Sequence, residues 1–490
     1  MNKISTVIWS ALFAVSVNGQ VRQPHSLYFM ETIPQISQMN PAFQPRANGY
    51  VSLPNVNIDL NLDFAMRDLI QKRGNILEWD LPVEKQFDYN KLRKAIGKNA
   101  AMINVETDVD IIGFGFRAGN GYFSFGVSEH QSLNCLLPSD IFNISEKGFP
   151  NGATFDFSPL LNTREMAYMQ ILIGYSSKVN DKLSIGMNIK PTFGHVAMVT
   201  KTDKFKMTTG EKWNLDVKSD IYSSGPIDEV RTDKNGKIDK VEFRDFNDYI
   251  LGDWINDYVL SFHNPGIAVD LGAEYKIDEK ITVSASLNNL GFISWNTDLN
   301  SIPINGNYQF NGLNWDVSVT TPEEFKELFK TLGDSIVDAM SYSVRHDKFK
   351  TMLSPVLYAG ASYHLNQAIS VGVLSRTAFW NNGVRQSFNA SVYLQPYSFV
   401  AMNMGLTYQV KGNIRLGGGF TIFGGPLQFY MLIDNVPVYY STLTIDKGDK
   451  IPYFPERIKT ITVRAGLNLV FGKHGFINRP MLDKGRSSWN

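Results

Sequence analysis

Ser362 and His364 are the pair in this sequence that invites a nucleophile-and-base reading. The run Asp233-Lys234-Asn235-Gly236-Lys237-Ile238-Asp239, with Glu242 behind it, invites a calcium loop. Neither spacing suits the chemistry. On a strand, residues two apart point side by side to the same face, so this Ser and His are not aimed for proton transfer. In the calcium-loop register that Gly236 would fix, the first ligand position falls on Arg231, which cannot coordinate a cation, and a turn between two strands fits the run better. Gly417-Gly418-Gly419 lacks the Lys-Ser or Lys-Thr of a phosphate cradle and reads as a bend or a close approach to a neighbouring strand. The seven histidines form no paired metal spacing. The single cysteine, Cys135, can staple nothing, and it lies too far from the N-terminus to be a lipid-modified one. The sequence therefore predicts no enzyme, no cofactor and no metal centre.

A second group of residues points elsewhere. Asp270, Glu274, Lys276, Arg376, Arg415 and Arg464 each sit on the polar side of a segment whose other side is apolar. From Ile267 to Ile277 one face carries Ile267, Val269, Leu271, Ala273, Tyr275 and Ile277, and the opposite face carries Asp270, Gly272, Glu274 and Lys276. From Thr460 to Phe471 the apolar face is Ile461, Val463, Ala465, Leu467, Leu469 and Phe471, with Arg464 on the other. A period of two is the signature of a strand, and a strand with lipid on one side and a polar lumen on the other must alternate in this way. Charges cannot face hydrocarbon cheaply, so these six are expected to point inward, where they pair or line a passage.

The same alternation recurs at Leu183–Ile189, Ile281–Leu287, Phe388–Leu394, Val400–Val410 and Leu427–Ile433, with weaker copies between Ile112 and Ile422 and a first strand near Tyr50 to Leu60. The total is about fourteen strands, many of them roughly 10 residues long, as a tilted strand needs to cross a bilayer. Short turns such as Gly119-Asn120-Gly121, Val179-Asn180-Asp181-Lys182 and Lys411-Gly412-Asn413 make successive strands antiparallel neighbours. Aromatic residues near strand ends, at Phe379-Trp380, Tyr397-Phe399 and Tyr439-Tyr440, suit an interfacial girdle. No repeat of propeller length is present.

Around this wall the chain divides into residues 1–19, a signal peptide with Lys3, an apolar run from Ile4 to Val17 and small residues before Gln20; 20–47, a plug-like or periplasmic segment; 48–471, the barrel; and 472–490, a tail. In 20–47, Pro24, Pro34, Pro41 and Pro45 oppose regular strand or helix. Helix-like pieces are expected at Leu62 to Arg73 and Tyr89 to Ile96. An amphipathic helix is expected from Thr321 to Met340, and a long extracellular excursion over 201–262. Lys plus Arg and Asp plus Glu number 47 each, so no field of one sign favours nucleic acid.

Just behind the leader come Tyr28-Phe29-Met30-Glu31-Thr32-Ile33-Pro34-Gln35 and Gln38-Met39-Asn40-Pro41-Ala42-Phe43-Gln44-Pro45. With Asn40, Pro41 and Ala42 ahead of a Gly-containing first strand, the chain resembles an uncharacterised outer-membrane β-barrel family of the Bacteroidota known by a domain-of-unknown-function label. That family is similar in layout to the fatty-acid transporter FadL and to the PorV and PorP/SprF barrels of type IX secretion and gliding. The resemblance implies an all-β transmembrane barrel of about fourteen strands with the N-terminal segment folded inside it or across its periplasmic end. The chain departs from many barrels in continuing past Phe471 to Asn490. Two functions follow as expectations. One is a FadL-like passive channel for small or hydrophobic solutes in the outer membrane. The other is a non-transporting scaffold or shuttle in type IX secretion or gliding. The partners would be outer-membrane lipid, small hydrophobic solutes and, for the second reading, secretion-system proteins.

Overall fold

A computed structural model describes residues 24–472 apart from 66–67, 69, 74–75, 80–93, 95, 97–99, 160–161, 226, 233–237, 244–261, 312–343, 381–382, 411–413, 437–440, 445–449 and 455–458. Each alternating segment of the sequence is a strand, and the strands close into a 14-stranded antiparallel barrel. In chain order they are β1 (Gly49–Ser52, continued by Asn55–Leu62), β2 (Ala100–Ala118), β3 (Gly121–Pro138), β4 (Arg164–Lys178), β5 (Leu183–Thr208), β6 (Pro265–Lys276) and β7 (Ile281–Trp295). The ring goes on through β8 (Phe349–Met352, continued by Val356–His364), β9 (Ile369–Trp380), β10 (Gly383–Tyr397), β11 (Val400–Gln409), β12 (Ile414–Gly424), β13 (Leu427–Val436) and β14 (Thr460–Phe471). The seam is β1 against β14, with Gly49 opposite Phe471 and Val56 opposite Ala465; on its other side β1 pairs β2, with Asn55 opposite Asp110. Closure leaves the ring no free edge, which a wall in hydrocarbon requires.

The burial pattern is that of a globular protein turned inside out. Ile58, Phe114, Ile173, Met187, Leu271, Leu290, Val373, Met404 and Phe429 face outward and are exposed, whereas Asn57, Asp59, Asn188, Asp270, Asn403, Thr462, Arg464 and Asn468 are buried on the inner side. An apolar exterior of this extent is stable only against lipid tails. At the end where hairpins turn in a few residues, Phe116, Phe123, Tyr175, Tyr275, Tyr363, Tyr397, Phe399 and Phe471 all point outward, an aromatic band at one membrane interface. At the other end Phe379 is outward too; Tyr439 and Tyr440 lie outside the described residues. Among the described residues no helix is long and apolar enough to cross a membrane.

At the end with long connections, β5 runs for 26 residues, more than twice the 9–11 that span a bilayer. Its last part, with Trp213–Ser224, Leu299–Phe310 and Thr154–Asp156, forms a platform beyond the wall. Ile144 of the helix Ser139–Lys147 joins Phe155, Phe157, Met207, Trp213, Leu215 and Val217 in its core. The expected excursion over 201–262 thus begins as a continuation of the barrel sheet. The helical reading of Leu62 to Arg73 fails. Leu62 ends β1, and Ile70–Arg73 is a strand paired with Ile76–Trp79, a case of short apolar runs whose periodicity does not separate helix from strand. Lys94 and Ile96 are helical. Antiparallel strands Ile227–Thr232 and Ile238–Phe243 flank the run at 233–237, which itself lies outside the described residues, as does the helix expected at Thr321 to Met340.

Candidate functional site: the filled lumen

The N-terminal segment 24–47 lies inside the ring. Its prolines do not keep it irregular; two of them start short 3-10 helices, His25–Phe29 behind Pro24 and Pro34–Gln38 with Pro34 as first residue. Proline is tolerated there because its missing N–H has no partner in the first turn anyway. The segment enters from β1 at the short-turn mouth, where Asn48 N–H donates to the Phe471 carbonyl. It rises to mid-barrel at Gln38–Asn40 and comes back to the mouth at Glu31–Gln35. From there it rises again along the far wall to His25.

The wall leaves side chains out where this segment passes. A Cβ built on Gly186 of β5 would lie 2.1 Å from the Pro41 carbonyl oxygen, and one on Gly272 of β6 would lie 2.0 Å from Asn40 Oδ1. On β8 and β9, a Cβ at Gly360 would meet the Tyr28 ring at 2.6 Å and one at Gly372 the Phe29 ring at 2.6 Å. Contacts of that length are impossible, so glycine lets the segment's backbone close on Gly186 and its Asn40, Tyr28 and Phe29 side chains close on Gly272, Gly360 and Gly372. The Asn40-Pro41-Ala42 motif sits at the tightest point. Asn40 Oδ1 accepts the Ala42 N–H at 2.9 Å, and Asn40 Nδ2 donates at 3.2 Å to the carbonyls of both Ala273 and Ala285 on neighbouring strands. One amide thereby shapes its own turn and ties it to the wall.

The two rising arms meet different surroundings. The His25–Met30 arm lies on an apolar arc made by Val356, Tyr358, Leu374, Ala378, Tyr393, Ala401, Tyr430 and Leu432, which it fills with Leu27, Tyr28 and Met30. Its upper end is polar: Asp434 accepts the N–H groups of His25 and Ser26, and His25 Nε2 lies 2.9 Å from Ser387 Oγ. The Pro34–Asn40 arm is held mainly by hydrogen bonds. Gln35 and Asn468 exchange amide bonds of 2.7 and 3.1 Å, while Ser286 Oγ and Asn288 Nδ2 donate to the Met39 carbonyl at 2.7 and 3.0 Å. Below both arms, Arg46 pairs with Glu31 at 2.8 Å and donates to Gln395 at 2.8 Å, and Gln428 donates to the Thr32 carbonyl at 2.7 Å.

The six charged residues singled out from the sequence share the inner faces but not one constellation. Arg464, almost wholly buried, reaches Asp110 and Gln38 Oε1 at 2.8 Å each and Asn55 Oδ1 at 3.3 Å. Asp270, fully buried, pairs with Lys190 at 2.6 Å and accepts from Asn188 and the Asn289 N–H. Arg376 stands over the Tyr358 ring at 5.9 Å. With Asp59 and Arg385 it lines a void of about 20 Å³ in the half nearer the long connections. Arg415 is partly buried, and its Nη1 has no partner among the described residues. Glu274 and Lys276 lie toward the short-turn mouth. Ser362 Oγ and His364 Nε2 are 3.5 Å apart, at the limit of a hydrogen bond. Sequence reasoning missed Lys190, Asp110, Asp434, the inner glycines and the glutamines of the segment. A regular Gly, Asn or Gln on the polar face of strand after strand was the signal available.

Residues 41–434 match the family of unknown function DUF5723, and the chain belongs to that family. No curated protein matches it. Solved structures with a similar layout include the Ralstonia pickettii toluene transporter TbuX (9% identity, 89% of this chain and 94% of that one, TM-score 0.42). Others are the Pseudomonas putida toluene transporter TodX (9%, 89% and 93%, 0.40) and a Pseudomonas aeruginosa FadL homologue (11%, 92% and 97%, 0.38). Neither the fold nor these comparisons support the type IX secretion or gliding reading.

Proposed function

We propose that this DUF5723 barrel is a passive channel for small solutes in the outer membrane, reached through a cleaved signal peptide and held shut by residues 24–47. The observation that carries the reading is the glycine-lined seat. A barrel that only had to be solid could fill its lumen with side chains of its own strands. This one omits them at Gly186, Gly272, Gly360 and Gly372 to receive a segment tethered at Asn48 and held by non-covalent contacts. The closure is therefore a separate part, as a gate must be.

Complete withdrawal is too costly to be the opening step. Burial of Leu27, Met30, Ile33 and Met39 stabilises the seated form by about 1.5–3 kcal/mol each. Movement of one arm is enough to open a path, and the arm on the apolar arc would uncover a surface fit for hydrophobic solutes. Asp270, Glu274, Lys276, Arg376, Arg415 and Arg464 then line or brace the route. The test is solute flux into liposomes carrying the full chain, its Asn40→Ala variant and its Gly186→Val variant, with heat-modifiable gel migration to show that each barrel is folded. Flux is expected to rise in that order. Folded variants that leave flux at the level of protein-free vesicles would overturn the channel.

A further inference from the structure

Between the Pro34–Asn40 arm and wall strands β1 to β5, β7 and β8 lies a cavity of about 70 Å³ lined by polar and apolar groups, several times the ~10–15 Å³ that one water requires. The segment contributes Gln35, Ser37 and Gln38, and the wall contributes hydroxyls, amides and the rings of Tyr50, Tyr168 and Tyr358. The charged groups at its surface are each spoken for. Asp110 holds Arg464 at 2.8 Å, Lys190 holds Asp270 at 2.6 Å, and Asp108 is hydrogen-bonded to His130 Nδ1. A buried acceptor borders the cavity. Asn288, about 3% exposed, gives its Nδ2 to the Gln38 and Met39 carbonyls, while its Oδ1 has no partner among the described residues.

We propose that this cavity is a binding site for a small neutral polyhydroxylated molecule, a sugar or polyol, which bridges the segment to the wall. Hydroxyl groups donate and accept at once, and so match a lining of amides and hydroxyls. An ionic ligand would give up its hydration and find no free counter-charge. A purely apolar one would leave the amides and hydroxyls of the lining, such as Gln170, unsatisfied. Tyrosine rings supply flat apolar faces for the C–H side of a sugar. Since both walls of the site come together only when the segment is seated, a bound ligand stabilises the seated form by linkage. The inference stands apart from the channel reading, because binding is a property of the closed barrel.

The probe is glucose, with gluconate and glucosamine as charged analogues, on the full chain folded in a detergent without sugar headgroups. Saturation-transfer NMR is expected to show contact with glucose and not with the analogues, and glucose is expected to raise Tm by a few degrees. Gln170→Leu, which alters the wall side, and Asn288→Leu should abolish both effects while keeping the heat shift of a folded barrel. Should Asn288→Leu lose that shift, Gln170→Leu decides alone. No transfer to glucose in the folded wild-type barrel means that the cavity holds only water, and equal transfer in wild type and variants means that glucose binds elsewhere; either overturns the proposal. Flux with no glucose contact would sink this inference and leave the channel standing, and glucose contact with no flux in the loosened variants would do the reverse.

Discussion

The two arms of the inner segment touch the same wall in opposite ways. The His25–Met30 arm rests on side-chain surface, where contact is non-directional and a shift of a few tenths of an ångström costs little. The Pro34–Asn40 arm rests on amide pairs and on side-chain donors to its backbone carbonyls, where each bond is made or lost. The first can yield gradually and the second only by steps, so a closure built from both can be tight and still have a softer side.

Substitutions on either side test this contrast, and the largest effect belongs to the hydrogen-bonded arm. Arg464→Met takes the cation from Asp110, leaving that carboxylate the Gln38 amide at 3.2 Å, and should cost about 3–5 kcal/mol, the scale for breaking a buried ion pair. It would be read as a fall in unfolding midpoint and as new proteolytic cleavage within 24–47. On the apolar arc, Leu27→Ala should cost about 2–5 kcal/mol through the cavity it leaves, whereas Leu27→Met, nearly equal in volume, should cost under about 1.5 kcal/mol. Gln35→Leu, also similar in size, should cost about 1–3 kcal/mol because Asn468 Oδ1 loses its donor, although Asn468 Nδ2 still donates to Gln428. If the near-isosteric changes at positions 27 and 35 cost the same, the two arms do not differ as described.

The smallest effect lies outside the lumen and marks the boundary of the comparison. Burial would raise the pKa of Asp156 on the platform, but the Ser158 hydroxyl and N–H and the nearby Lys206 outweigh it and hold the carboxyl below the usual range. A lowered folded pKa adds stability above the ordinary Asp value, about 3.9, and that stability is lost as pH falls through the lowered value. Protection from hydrogen exchange at Thr154–Asp156 and its partner residues 206–208, taken relative to the intrinsic rate at each pH, should therefore fall in acid in the wild type. Asp156→Asn should remove most of that change.

The wall was legible in the sequence because lipid outside and polar groups inside impose one rule on every strand. The strand count and the inward side of Asp270 and Arg464 follow from it. The filling was not legible. Nothing local in Gln35 or Gln38 names partners more than four hundred residues away, such as Asn468 and Arg464, and Gly186 or Gly360 looks like any strand glycine until the segment is laid beside it. The Asn40-Pro41-Ala42 motif fell between the two: visible as a motif, its work as a tie across β6 and β7 readable only in three dimensions.

The seam between β1 and β14 also sets an order of events. The N-terminal segment has contacts on Asp434, Arg464 and Asn468, residues of the last two strands of the ring, and it hangs from β1 at the point where Asn48 joins Phe471. Pairing across such sequence separations is slow because loop entropy is lost before the contacts form. Residues 24–47 must wait until the ring has nearly closed, so a barrel caught during assembly would be an open pore, and sealing would coincide with the final step of folding.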